Sequence, residues 1–158
     1  MRQLLVIAAF ALLGAALGMA AVDVPVPSAC TPQVNQRLAG ILTLGARHNV
    51  DNVMVCGVTI SPSRRTRGGR HGAHDILPVL AKFPDGSTKL IQVVVNEDLD
   101  GRVTAAKSAA VFAFGQAFFD NTGRFAAGIH DVHCSTHRGA DNGWVVIDGN
   151  KTPKTCGR

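Results

Sequence analysis

A chain of 158 residues, 46% of them hydrophobic, has room for one domain around one core and little more. Its 16 Lys and Arg outnumber its 11 Asp and Glu, and the formal net charge of +5 favours anionic partners such as nucleic acid, phosphate or acidic polysaccharide over cationic ones. The four cysteines, Cys30, Cys56, Cys134 and Cys156, read as two disulfides of an exported protein.

Residues 1–20 have the pattern of a signal peptide: a positive start at Met1-Arg2-Gln3, an apolar run from Leu4 to Leu17, then small residues. The run is short for a membrane span and no second apolar run follows, which sets cleavage and export above the alternative of an uncleaved anchor. Residues 21–158 are then expected to form a single secreted, monomeric α+β domain. Three disulfide pairings are open. Cys30–Cys56 and Cys134–Cys156 are expected because each closes a loop of moderate length and pins one end of the domain. A zinc site that joins Cys134 to nearby histidines is the alternative.

Thr31-Pro32 is a helix start, with a hydroxyl at N-cap and a proline at N1. Val34, Leu38, Ile41, Leu42 and Leu44 follow at helical spacing, with Asn35, Gln36 and Arg37 on the polar side, and the helix is expected to end between Gly45 and His48. Val53 to Ile60 reads as a strand. The basic loop 61–73 holds four arginines and almost nothing apolar, which predicts a mobile surface segment. Arg64, Arg65, Arg67 and Arg70, with Arg138 further on, are candidate ligands for phosphate or sulfate through bidentate contacts.

His74 to Phe83 and Thr88 to Val95 flank Pro84-Asp85-Gly86-Ser87, the chemistry of a hairpin turn. Pro78 predicts that its strand lies at an edge or contains a bulge. Asn96 to Gly101 reads as an acidic turn, and it lacks the Gly and terminal Glu of a calcium loop. Arg102 to Ala110, rich in alanine, predicts a short internal helix. Val111 to Gly115 and Gly143 to Gly149 read as strands, and Asn150-Lys151-Thr152 is a glycosylation sequon at Asn150. The sum is an α+β domain: a mainly antiparallel sheet with an N-terminal helix, one short internal helix and two disulfides.

The densest chemistry lies between Gly128 and Gly143. That stretch holds His130, Asp131, His133, Cys134, His137 and Asp141, while the whole chain has 6 histidines. As a strand, residues 130–137 would put Asp131, His133, Ser135 and His137 on one face and leave His130 for the core. As a helix they would gather His130, His133 and His137 instead. The glycine before the segment and the β-branched Val132 favour the extended form.

From about Gly57 to Gly149 the chain resembles the YukJ-like family, mostly bacterial proteins without an established activity. The resemblance rests on an ordered series. His74 opens a strand, a later strand ends in Val95-Asn96, and Val111-Phe112-Ala113-Phe114-Gly115 follows. Gly128-Ile129-His130-Asp131-Val132-His133 then precedes Asp141-Asn142-Gly143. The His-Asp-Val-His segment is the specific match. This chain is shorter between Asn96 and Val111, and it has Cys134-Ser135-Thr136 where the family carries a Met-Asn-Gln run. The resemblance implies a site at these histidines and no particular chemistry.

Three schemes suit such a site. His74, His130 and His133 are candidate ligands of a divalent metal, with an aspartate orienting one imidazole. Alternatively, a histidine pair drawn from His74, His130, His133 and His137, with Asp131, acts as acid and base on a phosphodiester or other anionic ester. In the third, the same groups form a hydrogen-bonded network that only fixes the fold. The functional expectation is a metal- or histidine-dependent hydrolase of an anionic substrate. The alternative is a non-catalytic secreted protein that binds an extracellular or host molecule, as an effector does.

Overall fold

The structure, a computed structural model, describes residues 21–67, 72–120 and 122–156. Residues 1–20, where a signal peptide is expected, and Arg70 lie outside the described residues. A 3-10 turn at Pro32–Asn35 runs into helix α1 (Gln36–Thr43). The strands are β1 (Val50–Thr59), β2 (Arg64–Arg65), β3 (His74–Lys82), β4 (Thr88–Asn96), β5 (Ala110–Phe118), β6 (Ala127–His130), β7 (Trp144–Ile147) and β8 (Asn150–Thr152), with a short helix α2 (Glu97–Asp100) after β4.

The alternation of β3 shows how the core forms. Asp75, Leu77, Val79 and Ala81 are buried, and the even positions from His74 onward face the other way. Ile91, Val93 and Val95 of β4, Val53 and Val55 of β1, and Val111 and Ala113 of β5 join the same core. The pairings then close on themselves. β1 is antiparallel to β3 and to β5, β3 is antiparallel to β4, β4 is parallel to β6, and β6 is antiparallel to β5. The result is a five-stranded barrel. β7 and β8 extend it from β5, and β2 adds to β3. The sheet is therefore mainly antiparallel, with β4–β6 as its parallel pair.

Both disulfides join the expected partners, Cys30 to Cys56 and Cys134 to Cys156, across 26 and 22 residues. Loops of that length stabilise by about 3 kcal/mol each in the chain-entropy model. Helix α1 ends one turn early, at Thr43, because Gly45 takes φ 66° and its N–H and that of Ala46 return to Leu42 O and Ile41 O. Asn35 is not on the solvent side. It is buried, donates to Cys56 O and Lys82 O, and accepts from Cys56 N, so it fastens the helix to β1 and the end of β3.

Three local expectations are corrected. Residues 102–110 form no helix. Val103 N donates to the buried Asp75 carboxylate, Ala105 N to Ser63 Oγ and Ala109 N to Thr59 Oγ1, so tertiary bonds override alanine's helix propensity. The short internal helix is α2 instead, where the Asn96 side chain accepts from Asp98 N. Pro78 is neither on an edge strand nor at a bulge. Ile60 N donates to Pro78 O, so the amide-free side of Pro78 faces the point where β1 peels away and β2 takes over. The basic loop is not wholly irregular either, because Arg64 and Arg65 pair with Ile76 and Asp75.

Candidate functional site

His130 is the last residue of β6, and the extended backbone stops there. Asp131 takes φ 52°, a left-handed conformation that costs a non-glycine residue about 1–3 kcal/mol. This turn cancels the strand alternation. His130 is not left for the core; it stands beside Asp131 on the outer face. Two glycines allow the approach, since a Cβ on Gly115 would run into His130 O and one on Gly143 would run into Asp131 O.

Asp131 Oδ1 lies 3.4 Å from His130 Nδ1 and 3.6 Å from His133 Nε2. These three side chains, with His74, Val94, Asn96 and Leu99, line a cavity of about 450 Å³. Phe118 packs edge-on against the His130 ring, with centroids 4.9 Å apart.

The neighbours assign the ring protons. Gln116 Nε2 donates to Asp51 Oδ1 at 2.6 Å, because a carboxylate can only accept. Gln116 Oε1 therefore faces His130 Nε2 at 2.9 Å, and it also accepts from Asn49 Nδ2 at 2.7 Å. His130 must carry its proton on Nε2, which leaves Nδ1 as a free lone pair towards Asp131. In His133, Nδ1 lies 2.8 Å from Cys134 O and must donate to it. A proton on its Nε2 then makes it an imidazolium facing Asp131.

The electrostatics separate the two rings. Burial pushes the His130 pKa down, and it outweighs the attraction of Asp131. The Asp131 carboxylate 3.6 Å away lifts His133, with the Cys134 carbonyl and the Asp100 charge in support. Asp131 is itself held below the usual carboxylate range, first by His133 and then by the charge of His130. Near neutral pH the trio is a neutral imidazole, a carboxylate and an imidazole biased towards imidazolium.

The sequence reading missed Asp100, which lies at the end of α2. Both its carboxyl oxygens are buried without a hydrogen-bond partner. Burial pushes its pKa up to about 6, and the charges of His133 and Asp131 act on it in opposite directions. The signal in the sequence was the acidic run Glu97-Asp98-Leu99-Asp100, whose Leu99 stays 58% exposed on the cavity wall. Gln116, Asn49 and Asp51 were also missed, since nothing local ties them to His130.

Of the other expected residues, His74 reaches the cavity, with its backbone pinned by Thr66. His137 does not line it; its Nε2 is 3.8 Å from Asp51 Oδ1. Asp141 accepts from Val22 N and serves to hold the N-terminal segment. Arg65 is taken by a two-bond pair with Glu97, at 2.7 Å for each bond, and so braces β2 against α2. Arg64, Arg67 and Arg138 are exposed, as is Asn150 of the sequon. Among the described residues, no group of three or more His, Cys, Asp or Glu is arranged to hold a metal ion. No helix among them is long and apolar enough to cross a membrane.

No family model, no curated protein and no solved structure matches the chain.

Proposed function

We propose that this protein is a secreted hydrolase of phosphodiesters or similar anionic esters, working by a histidine acid–base pair. The observation that carries the reading is the placement of two imidazoles on one carboxylate with their pKa values driven apart. Titratable neighbours pushed in opposite directions are how one site holds a base and an acid at the same pH.

His130 Nδ1 takes the proton of an attacking water as the new P–O bond forms. His133 Nε2 gives its proton to the leaving oxygen as the old P–O bond breaks. His130 ends as imidazolium and His133 as neutral imidazole. Asp131 then pairs with His130 instead of His133, so one ion pair exists before the step and one after it. The similar distances from Asp131 Oδ1 to the two rings favour that exchange. His74 is available to a substrate oxygen in the same cavity. The positive net charge draws anionic substrates towards the protein.

Export fits the two disulfides and the N-terminal sequence pattern. A distant YukJ-like relationship is part of the proposal, because the same His-Asp-Val-His segment carries both the resemblance and the site. A second reading, a secreted binding protein, is favoured by the exposed Arg64, Arg67 and Arg138. Turnover of a chromogenic bis-aryl phosphodiester separates the two. The hydrolase reading expects turnover that falls at least 100-fold in His130→Ala and in His133→Ala, within the range for a lost general acid or base. Absence of turnover, or turnover unchanged in both variants, contradicts it.

A further inference from the structure

A second cavity lies on the same outer face of the barrel, on the far side of β3 from the histidines. It holds about 400 Å³ and is lined by Arg64, Ile76, Pro78, Arg124 and Phe125, with Ser61 and Pro62 at its rim. Arg64 pairs with Ile76 across β2–β3, and Ile76 pairs with Val94 across β3–β4. The β4–β6 register sets Val93 against Ile129, which puts His130 one strand beyond Val94. Arg64, Ile76, Val94 and His130 thus form a row across the strands. Three inter-strand spacings separate its ends, roughly 14 Å.

The two arginines of this cavity differ from Arg65, their neighbour on β2. Arg65 is neutralised by Glu97, whereas Arg64 and Arg124 make no ion pair among the described residues. They come from separate segments, Arg64 from β2 and Arg124 from the loop before β6, and they meet at one hollow. Two arginines that line one hollow, with no carboxylate among its lining residues, suit an oxyanion. Arg124 also lies over the Phe125 ring, 5.5 Å from its centroid. At the other end of the row, Phe118 stands against His130 and lines a hollow with Asn49, Val94 and Asp120. A half-buried aromatic ring therefore accompanies each charged site. A cationic hollow and a histidine cavity separated by an apolar stretch, each with an aromatic ring beside it, suit single-stranded nucleic acid, whose phosphates need the polar ends and whose bases stack.

We propose that the substrate of the histidine pair is single-stranded nucleic acid, laid across β2, β3, β4 and β6 with one phosphate at Arg64 and Arg124 and a second at His130 and His133. The inference rests on the hydrolase reading for its second phosphate and on the arginine cavity for its first. Bases on either side meet Phe125 and Phe118. The polymer crosses the strands, and its length is set by the gap between the two sites.

The test is fluorescence anisotropy of a labelled single-stranded hexanucleotide with the full folded protein, in the presence of a tenfold excess of unlabelled duplex. Arg64→Gln and Arg124→Gln are each expected to weaken binding about 5- to 10-fold, and the double variant at least 25-fold. The double variant should also flatten the salt dependence, by a slope of about 0.7 for the one phosphate that the two arginines hold. His130→Ala should lose turnover, and the two arginine substitutions should weaken hexanucleotide binding by the same factor in it as in wild type, which keeps the arginine site and catalysis separately readable. Unchanged hexanucleotide affinity in the double variant, with a native thermal melt, overturns the inference. So does tighter binding of a sulfated tetrasaccharide than of the hexanucleotide. If the hexanucleotide binds as expected and is never cleaved, the hydrolase reading fails and the arginine site stands.

Discussion

Gln116 Oε1 stands 2.9 Å from His130 Nε2, and this one hydrogen bond determines which nitrogen of His130 is free to act. Asp51 and Asn49 fix the amide orientation, so the preference is imposed from behind the ring. In a Gln116→Leu variant the proton is free to move to Nδ1, where Asp131 waits at 3.4 Å to accept it. Turnover should drop roughly 10- to 100-fold, the usual effect of losing a partner that orients a working imidazole. Imidazole ¹⁵N shifts should report the new tautomer directly. Wild-type shifts and wild-type turnover in this variant would remove Gln116 from the account.

The dependence of rate on pH has a defined sign on both sides. His130 must be neutral to act, so activity rises with pH through a value below the ordinary histidine pKa of about 6.5. His133 must be protonated, so activity falls as pH passes a value above it. The profile is a bell with a broad top. The residual activity of His130→Asn should lose the acid limb, and that of His133→Asn the alkaline limb. A single limb in wild type would mean that only one ring titrates usefully.

Asp100 predicts a pH-dependent stabilisation. Its folded pKa, about 6, lies above the unfolded carboxylate value of about 3.9, so the folded state holds the proton more tightly. Stability therefore declines as pH rises through that window, and the penalty is complete above it. Asp100→Asn removes the charge and should stabilise by about 1–2 kcal/mol at pH 7.5, allowing for solvent screening. It should change little at pH 4. Urea midpoints at the two pH values are the check, and an equal effect at both would show that ionisation of Asp100 is not the cause.

Gly143 tests the backbone support of the site. A Cβ there would meet Asp131 O, His133 N and Phe114 O, all main-chain atoms that cannot swing aside. Gly143→Ala should cost about 1–3 kcal/mol, the usual range for overpacking, and displace Asp131 from the two rings. Denaturation together with turnover at a temperature where the variant stays folded measures both parts. Wild-type stability would show that the Asp131 turn has slack.

The strands and the two disulfides were legible because their signals are local: alternation in β3 and β4, the Pro-Asp-Gly turn, and loop length between cysteines. The barrel closure was not, since it depends on β5 pairing with both β1 and β6, which no window of sequence contains. The segment that holds His130, Asp131 and His133 was visible from its density of histidines. Its geometry was misjudged at a single residue. An unbroken strand would set His130 and Asp131 on opposite faces; with Ile129 in the core the alternation of β6 turns His130 outward, and the positive φ of Asp131 keeps that carboxylate beside it. Asp100, Gln116 and Arg124 are ordinary residues in the sequence and acquire a role only from distant neighbours.

The surroundings of His130 and His133 drive the two rings towards different protonation states. A ¹H–¹⁵N titration of the imidazole rings in the wild-type protein tests it without any substrate. His130 is expected to be an Nε2–H neutral ring at pH 7 with a midpoint below the ordinary value of about 6.5, and His133 to titrate above it. Coincident midpoints, or a His130 that titrates above His133, would contradict it.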